Sequence, residues 1–256
     1  MVDIHELHLK DLQNPLHPSM YEEYKNYSIL ILRLPESIGK KSKILSYGFI
    51  FSENKVYYYE KKQNQFIPFS DYLEELYRFL NDKIDSLMHD IEHVQEKVVS
   101  LEESLYKKFT STFMDHWHEL KKELSRSERV LIKAVDILKF FMAKAKPLNA
   151  FPLNEFNDLY EHLERILRSN VAVNDQLDNL YHYYTLRSND RMNRSIYLLT
   201  IISVIFLPLN LVVGFFGMNT GGLPFQHPMG TFDAFISMIV FATLLTVAVI
   251  WKIKKE

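Results

Sequence analysis

The sequence predicts a mainly α-helical membrane protein with a mixed α/β cytosolic domain, long cytosolic helices, a stalk helix and two transmembrane helices. The first observation is that residues 195–251 contain no Lys or Arg, whereas all 30 basic residues lie in the rest of the chain. The second is that no glycine lies between Gly48 and Gly214, in a stretch rich in Leu, Glu and Lys. Glycine and proline interrupt regular structure most strongly, so their scarcity predicts long helices. A soluble domain does not distribute its charge so unevenly, which predicts a membrane region.

Composition excludes several classes of protein. The 30 basic and 32 acidic residues give a net charge of −2, whereas a nucleic-acid-binding protein normally carries a basic excess. The absence of cysteine excludes disulfides, a thiolate nucleophile and a Cys-ligated zinc site. The chain has no glycine-rich phosphate loop, no Ser-His-Asp spacing and no defensible pair of catalytic carboxylates. We therefore expect neither an enzyme nor a nucleic-acid partner.

Residues 1–69 are predicted to form the small cytosolic α/β domain. An apolar run over 27–34 has the composition of a strand. Aromatic and β-branched runs over 46–51 and 55–59 flank the short polar segment 52–54, which predicts a β-hairpin.

Residues 70–194 are predicted to form the long-helix and stalk region. Ser70 and Asp71 can cap a first helix, in which apolar residues recur every three or four positions. A second helix is predicted over about 109–145, because its apolar residues follow the same spacing.

The third helix is predicted to begin near Asn154, a suitable N-cap residue, after a break between Pro147 and Pro152. Neither glycine nor proline stops this helix before the uncharged run that begins at Ser195. We therefore expect one helix over about 154–216, roughly 90 Å long at about 1.5 Å per residue.

Two uncharged segments have the length of transmembrane helices, which need about 20 apolar residues. The first is predicted over 195–216 and the second over 232–251. Residues 217–231 then form an outer loop, and 252–256 a basic cytosolic tail. Buried helices of a soluble core are the alternative, but two such segments in tandem with basic flanks are rare in soluble proteins.

Basic residues flank the two predicted spans, while the loop between them has no Lys or Arg. They are Arg187, Arg191 and Arg194 before the first span and Lys252, Lys254 and Lys255 after the second. The positive-inside rule then places both termini in the cytoplasm and the loop outside.

Polar and small residues share one face of the first span with two aliphatic residues. Steps of three and four residues give Asn193, Ile196, Thr200, Ser203, Leu207, Asn210 and Gly214. Polar groups in hydrocarbon are costly unless they face a partner or a water-filled cavity. This face is suited either to a pore lining or to helix–helix contact through small and polar side chains. Because two helices cannot enclose a pore, the pore interpretation requires a homo-oligomer around an axis.

The tripeptide Gly217-Met218-Asn219 stands at the outer end of the first span, before a short loop and a second span. In this setting the chain strongly resembles the CorA family of divalent-metal transporters, whose signature is Gly-Met-Asn. Residues 198–210, which include Phe-Leu-Pro-Leu, also resemble the inner helix of that family.

The resemblance implies a homopentameric funnel around a central pore. Its outer mouth would be formed by five Gly217-Met218-Asn219 loops, with the Asn219 carbonyls holding a hydrated cation. A neutral ring of amide oxygens is suited to a cation that keeps its waters. The resemblance further implies that Leu207 forms an apolar gate next to a helix kink at Pro208, and that the protein lies in a bacterial or archaeal inner membrane.

The transported ion stays open between Zn²⁺ and Mg²⁺, with Co²⁺ and Ni²⁺ as further candidates, and no permanently bound cofactor is expected. Mg²⁺ transporters of the family often carry an acidic outer loop, whereas this loop has no acid before Asp233. The sequence Gly221-Gly222-Leu223-Pro224 resembles instead the ZntB branch, which moves Zn²⁺.

Three histidines are candidate metal ligands outside the pore. His89 and His93 share a helical face and can hold a regulatory metal, although a solvated surface is the simpler interpretation. His227 lies in the predicted outer loop, where it can meet incoming Zn²⁺.

A membrane-anchored scaffold that has the architecture but no transport activity is the alternative function.

Overall fold

The computed structural model describes residues 4–39, 43–52, 55–107, 112–145, 151–217 and 228–255. The chain divides into two compact units, Met1–His182 and Tyr183–Glu256. One helix, Leu153–Phe216, runs through the boundary between them.

The first unit begins with a short helix and a five-stranded antiparallel sheet whose strands lie side by side in chain order. The elements are α1 (Glu6–Gln13), β1 (Met20–Glu23), β2 (Ser28–Pro35), β3 (Ile44–Ser52), β4 (Lys55–Glu60) and β5 (Gln65–Pro68). The predicted strand 27–34 and the predicted hairpin are confirmed as β2 and the β3–β4 pair, in which Ser52 is opposite Lys55. The sequence interpretation missed α1, β1 and β5.

Helix α1 covers one face of the sheet. Its buried residue Leu12 packs in a cluster with Ile29, Ile31, Ile50 and Tyr59. A Cβ atom at Gly48 would lie 2.5 Å from Leu12 Cδ2, so a larger residue there would force the Leu12 side chain to shift.

The opposite face of the sheet packs against two long helices, α2 (Tyr72–Lys107) and α3 (Phe113–Ala145). The ring of Phe49 lies 5.6 Å from that of Phe79 on α2. The ring of Phe51 lies 5.3 Å from that of Phe141 on α3. Burial of these aromatic rings anchors the sheet on the helices.

Helix α2 begins where Ser70 and Asp71 predicted. The Asp71 carbonyl accepts the first helical hydrogen bond from the Glu75 N–H at 3.0 Å. The Ser70 N–H and hydroxyl both donate to the Glu75 carboxylate, at 2.6 and 3.0 Å. The predicted apolar stripe is buried along the helix: Leu73, Leu76, Leu80, Ile84, Leu87, Ile91, Val94, Val98, Leu101 and Leu105.

Helix α4 (Leu153–Phe216) is one uninterrupted helix of 64 residues, which confirms the predicted stalk. Its start corrects one detail. The Phe156 N–H donates to the Pro152 carbonyl at 3.1 Å, so Asn154 lies within the first turn and is not the N-cap residue. Proline is suited to a helix start because the first N–H groups of a helix lack internal partners in any case.

Polar contacts join α4 to the two other long helices in the first unit. The Trp117 Nε1–H donates to the Leu177 carbonyl at 2.8 Å, and Lys121 Nζ lies 2.7 Å from Asp178 Oδ2. On the other side, Gln176 Nε2 donates to Glu102 Oε2 at 3.0 Å. These contacts fix the register of α3 and α2 against α4.

The second unit contains the distal part of α4 and helix α5 (Gly230–Lys255). Helix α5 extends beyond the predicted span 232–251 at both ends, and the basic residues that follow the span continue the helix.

Candidate ion pathway

Both helices of the second unit contain an apolar segment that is long enough to cross a membrane. The most apolar 18-residue stretch of each helix has no part buried inside the chain. Large apolar side chains are exposed along both segments, among them Leu199 at 63% and Leu244 at 64%. A soluble core helix would bury such residues, so these surfaces require lipid or another protein chain.

The face predicted to line a pore is the open face of α4 in this segment. Six of its seven residues are exposed and only Ser203 is half-buried; the exposed six are Asn193, Ile196, Thr200, Leu207, Asn210 and Gly214. Leu207 has an exposed fraction of 68%. A Cβ atom at Gly214 would meet nothing within 4 Å, so packing inside one chain does not require glycine there.

The opposite side of α4 is half-buried, at Ile201, Ile205, Pro208, Leu209, Val212 and Phe216. With about 3.6 residues per turn, the centres of the two faces lie roughly half a turn apart. On α5, half-buried residues recur at Ala234, Met238, Ala242 and Leu245. These stripes are the less exposed sides of the two spans, and the polar face of α4 lies away from the stripe on that helix.

Two hydroxyl groups near the start of this span are satisfied within the helix. Thr200 Oγ1 donates to the Ile196 carbonyl at 2.9 Å, and Ser195 Oγ donates to the Arg191 carbonyl at 3.1 Å. This back-bonding uses the hydroxyl proton and leaves the Thr200 oxygen able to accept a hydrogen bond from water.

Helix α4 continues through Pro208 to Phe216, so the proline does not end it. Proline has no N–H to donate and its ring crowds the preceding turn. The predicted kink at Pro208 stays a prediction, because the helix is continuous on both sides of it.

The C-terminal end of α4 closes with a turn at Gly217, whose N–H donates to the Val213 carbonyl at 2.9 Å. A Cβ atom there would lie 3.2 Å from that carbonyl oxygen, which is a tight contact. Met218, Asn219 and His227 lie outside the described residues.

The candidate regulatory histidines lie on the solvent-exposed surface of α2. The His89 and His93 side chains are 82% and 72% exposed, and they contact Glu92 at 3.7 Å and Glu96 at 3.2 Å. In the described part of the chain, no three His, Asp or Glu side chains are arranged to hold a metal ion. The structure therefore brings no third ligand to the pair.

Sequence reasoning missed a polar contact between α2 and α4. His162 Nδ1 lies 3.8 Å from Asp85 Oδ1, and Nε2 lies 3.5 Å from Asp158 Oδ1. Burial raises the pKa of the neighbouring Tyr77, and the two carboxylates add to the rise. Asp85 and His162 are far apart in sequence, so no local spacing pattern could reveal the contact.

The five-stranded sheet, the long helices and the two apolar segments together indicate a class of protein: a mainly helical membrane protein with a small α/β domain. A sequence model of the CorA-like Mg²⁺ transporter protein family matches residues 1–255. The chain belongs to this family of divalent-cation transporters.

Solved structures show the same fold. The complete CorA magnesium transporter from Methanocaldococcus jannaschii superimposes with a TM-score of 0.77, at 18% identity, over 96% of this chain and 82% of that chain. The full-length CmaX protein gives a TM-score of 0.72, also at 18% identity, over 98% of this chain and 83% of that chain.

Sequence relatives include transporters named for different ions. The cobalt/magnesium transport protein CorA of Thermotoga maritima is 23% identical, over 86% of this chain and 68% of the relative. The putative metal ion transporter YfjQ of Bacillus subtilis is 25% identical, over 70% of this chain and 56% of the relative. The zinc transport protein ZntB of Yersinia pestis is 24% identical, over 65% of this chain and 50% of the relative. The chain thus spans about half to two thirds of the length of these relatives.

Proposed function

We propose that this chain is one subunit of a homo-oligomeric pore that carries divalent cations across a membrane. The observation that carries the proposal is the uncovered polar face of α4, which lies opposite the half-buried side of the same span. In an oligomer, these faces can surround an axis while α5 stays on the outside. By resemblance to the family, we propose five subunits.

Each residue type on this face is suited to the passage of a hydrated cation. Asn193, Thr200 and Asn210 offer oxygen atoms that accept hydrogen bonds from the ion's waters. Leu207 contributes an apolar ring, which can gate the pore by excluding water. At the outer mouth, we assign capture of the cation to Gly217, Met218 and Asn219.

We propose Zn²⁺ or Mg²⁺ as the transported ion. Named relatives include both magnesium and zinc transport proteins, which supports a divalent cation without choosing between the two. The acid-free loop between Gly217 and Asp233 favours Zn²⁺, and His227 would then meet the incoming ion. Imidazole is a common ligand of Zn²⁺, whereas Mg²⁺ prefers oxygen.

The same proposal assigns a membrane topology. The basic residues beside the two spans place both termini in the cytoplasm, and the loop between the spans outside. Residues 1–69 and 70–194 are then cytosolic, and the protein lies in a bacterial or archaeal inner membrane.

The competing function is a membrane-anchored scaffold that does not transport ions. The observation that favours it is the loop between the two spans, which has no acidic residue before Asp233. The scaffold predicts no flux of Mg²⁺, Zn²⁺, Co²⁺ or Ni²⁺ through the purified protein.

Substitution of Asn219 by Ala tests the assignment of the mouth. The variant removes the amide oxygen that holds the waters of the cation, so we expect divalent-cation uptake into liposomes to fall roughly tenfold or more. The control is Asn154→Ala, since Asn154 is exposed near the start of α4. If Asn219→Ala inserts normally and transports at the unmodified rate, the mouth assignment is wrong.

A further inference from the structure

An acidic stripe lies on the outer face of α2, away from the buried stripe that packs inside the first unit. Glu92, Glu96, Val99 and Glu103 follow one another at steps of four, three and four residues, and all four are exposed. The Glu92 and Glu96 side chains are 65% and 76% exposed. With Gln95 and Ser100, these residues line a shallow surface groove.

A basic stripe with the same spacing lies on the outer face of α3. Lys122, Arg126, Arg129 and Lys133 also follow at steps of four, three and four residues, and all are exposed. The stripe is bounded by acidic residues, Glu119 before it and Asp136 after it. Because the steps are the same in both stripes, the basic stripe is as long along its helix as the acidic stripe.

The two stripes are complementary in charge and in spacing, but they do not cover each other within one chain. Both remain exposed, although α2 and α3 belong to the same unit. Each stripe also has an exposed aliphatic side chain on it or at its edge: Val99 at 49% on α2 and Ile132 at 40% on α3. Apolar side chains beside complementary charges are typical of a surface that contacts another chain.

We propose that the acidic stripe of α2 docks on the basic stripe of α3 of a neighbouring copy of this chain. A two-fold contact of α2 with α2 would place Glu92 and Glu96 against other acids, so the stripe is not self-complementary. A contact between two different surfaces repeats from copy to copy and closes into a ring when the rotation permits. The inference rests on the proposed function, because it supplies the cytosolic contact of the ring that this function requires.

Charge reversal on full-length protein in lipid nanodiscs tests the contact. One variant carries Glu92→Lys and Glu96→Lys, a second carries Lys122→Glu and Arg129→Glu, and a third carries all four. Each of the first two variants places like charges against each other. The protein concentration at which half of the chains are assembled should therefore rise roughly tenfold or more at low salt. The third restores opposite charges in every contact, so it should assemble within about twofold of the unmodified protein.

Two controls separate this contact from general charge effects. Glu6→Lys with Glu36→Lys makes the same change in net charge as the first variant, at exposed residues outside the stripes, and it should leave assembly unchanged. Raising the ionic strength from about 0.1 M to about 1 M shortens the Debye length from about 10 Å to about 3 Å. The defects of the first two variants should therefore shrink at high salt.

The outcomes distinguish this proposal from the proposed function. If the unmodified protein is monomeric in lipid, the proposed pore is wrong. If the unmodified protein is oligomeric and the four-residue variant shows the sum of the two defects, the proposed pore still stands but the proposed contact between α2 and α3 is overturned. If only reversal of the basic stripe acts, and only in anionic nanodiscs, that stripe binds lipid and the contact is likewise overturned.

The absence of cysteine allows an independent check by disulfide formation. Glu96→Cys and Arg129→Cys together should give a ladder of cross-linked species, because each copy then carries both halves of the contact. Either substitution alone should give no cross-linked dimer. A dimer from Glu96→Cys alone would show that α2 contacts α2, which contradicts the proposal.

Discussion

At the residue scale, one face of α4 contains the residues that are proposed to line the pore. The sequence spacing groups its polar and small residues, and the structure leaves that face uncovered in the single chain. Thr200 and Asn210 lie inside the span and would be costly against hydrocarbon. The polar side chains therefore favour a water-filled axis.

Replacement of Leu207 by Ala tests the gate. Leu207 is 68% exposed on the open face, so the variant would widen an apolar ring without creating a cavity inside the chain. We expect faster cation uptake into liposomes, because a wider ring wets more readily. The matched control is Leu198→Ala, since Leu198 is 61% exposed and lies roughly half a turn from Leu207. Equal effects of the two variants would contradict the gate.

Lys61 gives the cytosolic domain a pH-dependent stability. Burial lowers its pKa from 10.5 to about 8, although Lys61 Nζ donates to the Asn14 carbonyl at 2.9 Å. Between these two values the unfolded chain binds more protons than the folded chain, so the free energy of unfolding rises with pH in this window. Below about pH 8 the full cost of the half-buried charge is present.

Thermal unfolding of the full chain between pH 8 and 10 checks this expectation, with Lys61→Met as the comparison. The upper limit avoids tyrosines such as Tyr58, whose pKa burial raises to about 12 and whose contribution to stability falls above pH 10. The variant should have a flatter rise of stability with pH. An identical slope in both proteins would show that Lys61 is not the titrating group.

At the element scale, the sequence predicted the parts that have strong periodicity. The stripes of α2 and α4 were found because apolar residues recur at fixed steps. The strands β2 to β4 were found because apolar, aromatic and β-branched residues form runs, two of which flank a short polar segment. Helix α1 and strands β1 and β5 were missed, since β1 and β5 have four residues each and α1 has eight. Elements this short carry too few periodic positions, and tertiary packing such as that of Leu12 decides them.

Contacts between elements were beyond prediction, and Asn170 shows why. It occupies a position in the buried stripe of α4 and is fully buried, yet its amide N and O atoms have no hydrogen-bond partner in the described part of the chain. Periodicity predicts that position 170 faces the core, but it does not predict what surrounds the side chain. The same limit hid His162 from sequence reasoning.

Substitution of Asn170 by Leu should stabilise the helices. An unpaired buried amide costs roughly 1–3 kcal/mol, and Leu has a similar size without polar atoms. We expect the midpoint of thermal unfolding to rise by several degrees. Asn154→Leu, at an exposed position of the same helix, should leave the midpoint within about a degree. A lower midpoint for Asn170→Leu would show that the amide has a partner, such as a buried water.

At the scale of the whole molecule, the sequence already contained the architecture. The uneven distribution of charge predicted the membrane region, and the two apolar helices agree with it. The match to the CorA-like Mg²⁺ transporter family over residues 1–255 confirms the resemblance inferred from Gly217-Met218-Asn219 and its setting. The transported ion and the number of subunits stay proposals, because a single chain contains neither the contacts between subunits nor a pore that several subunits would form.

Uptake of divalent cations by liposomes that contain the purified protein tests the central claim most directly. Zn²⁺ and Mg²⁺ are compared at two external pH values, with empty liposomes as the control. The account predicts saturable uptake of at least one of them, and uptake of Zn²⁺ that rises with an inward proton gradient would support the ZntB-like loop. No uptake of Zn²⁺, Mg²⁺, Co²⁺ or Ni²⁺ by a correctly inserted protein would contradict the account and favour the scaffold.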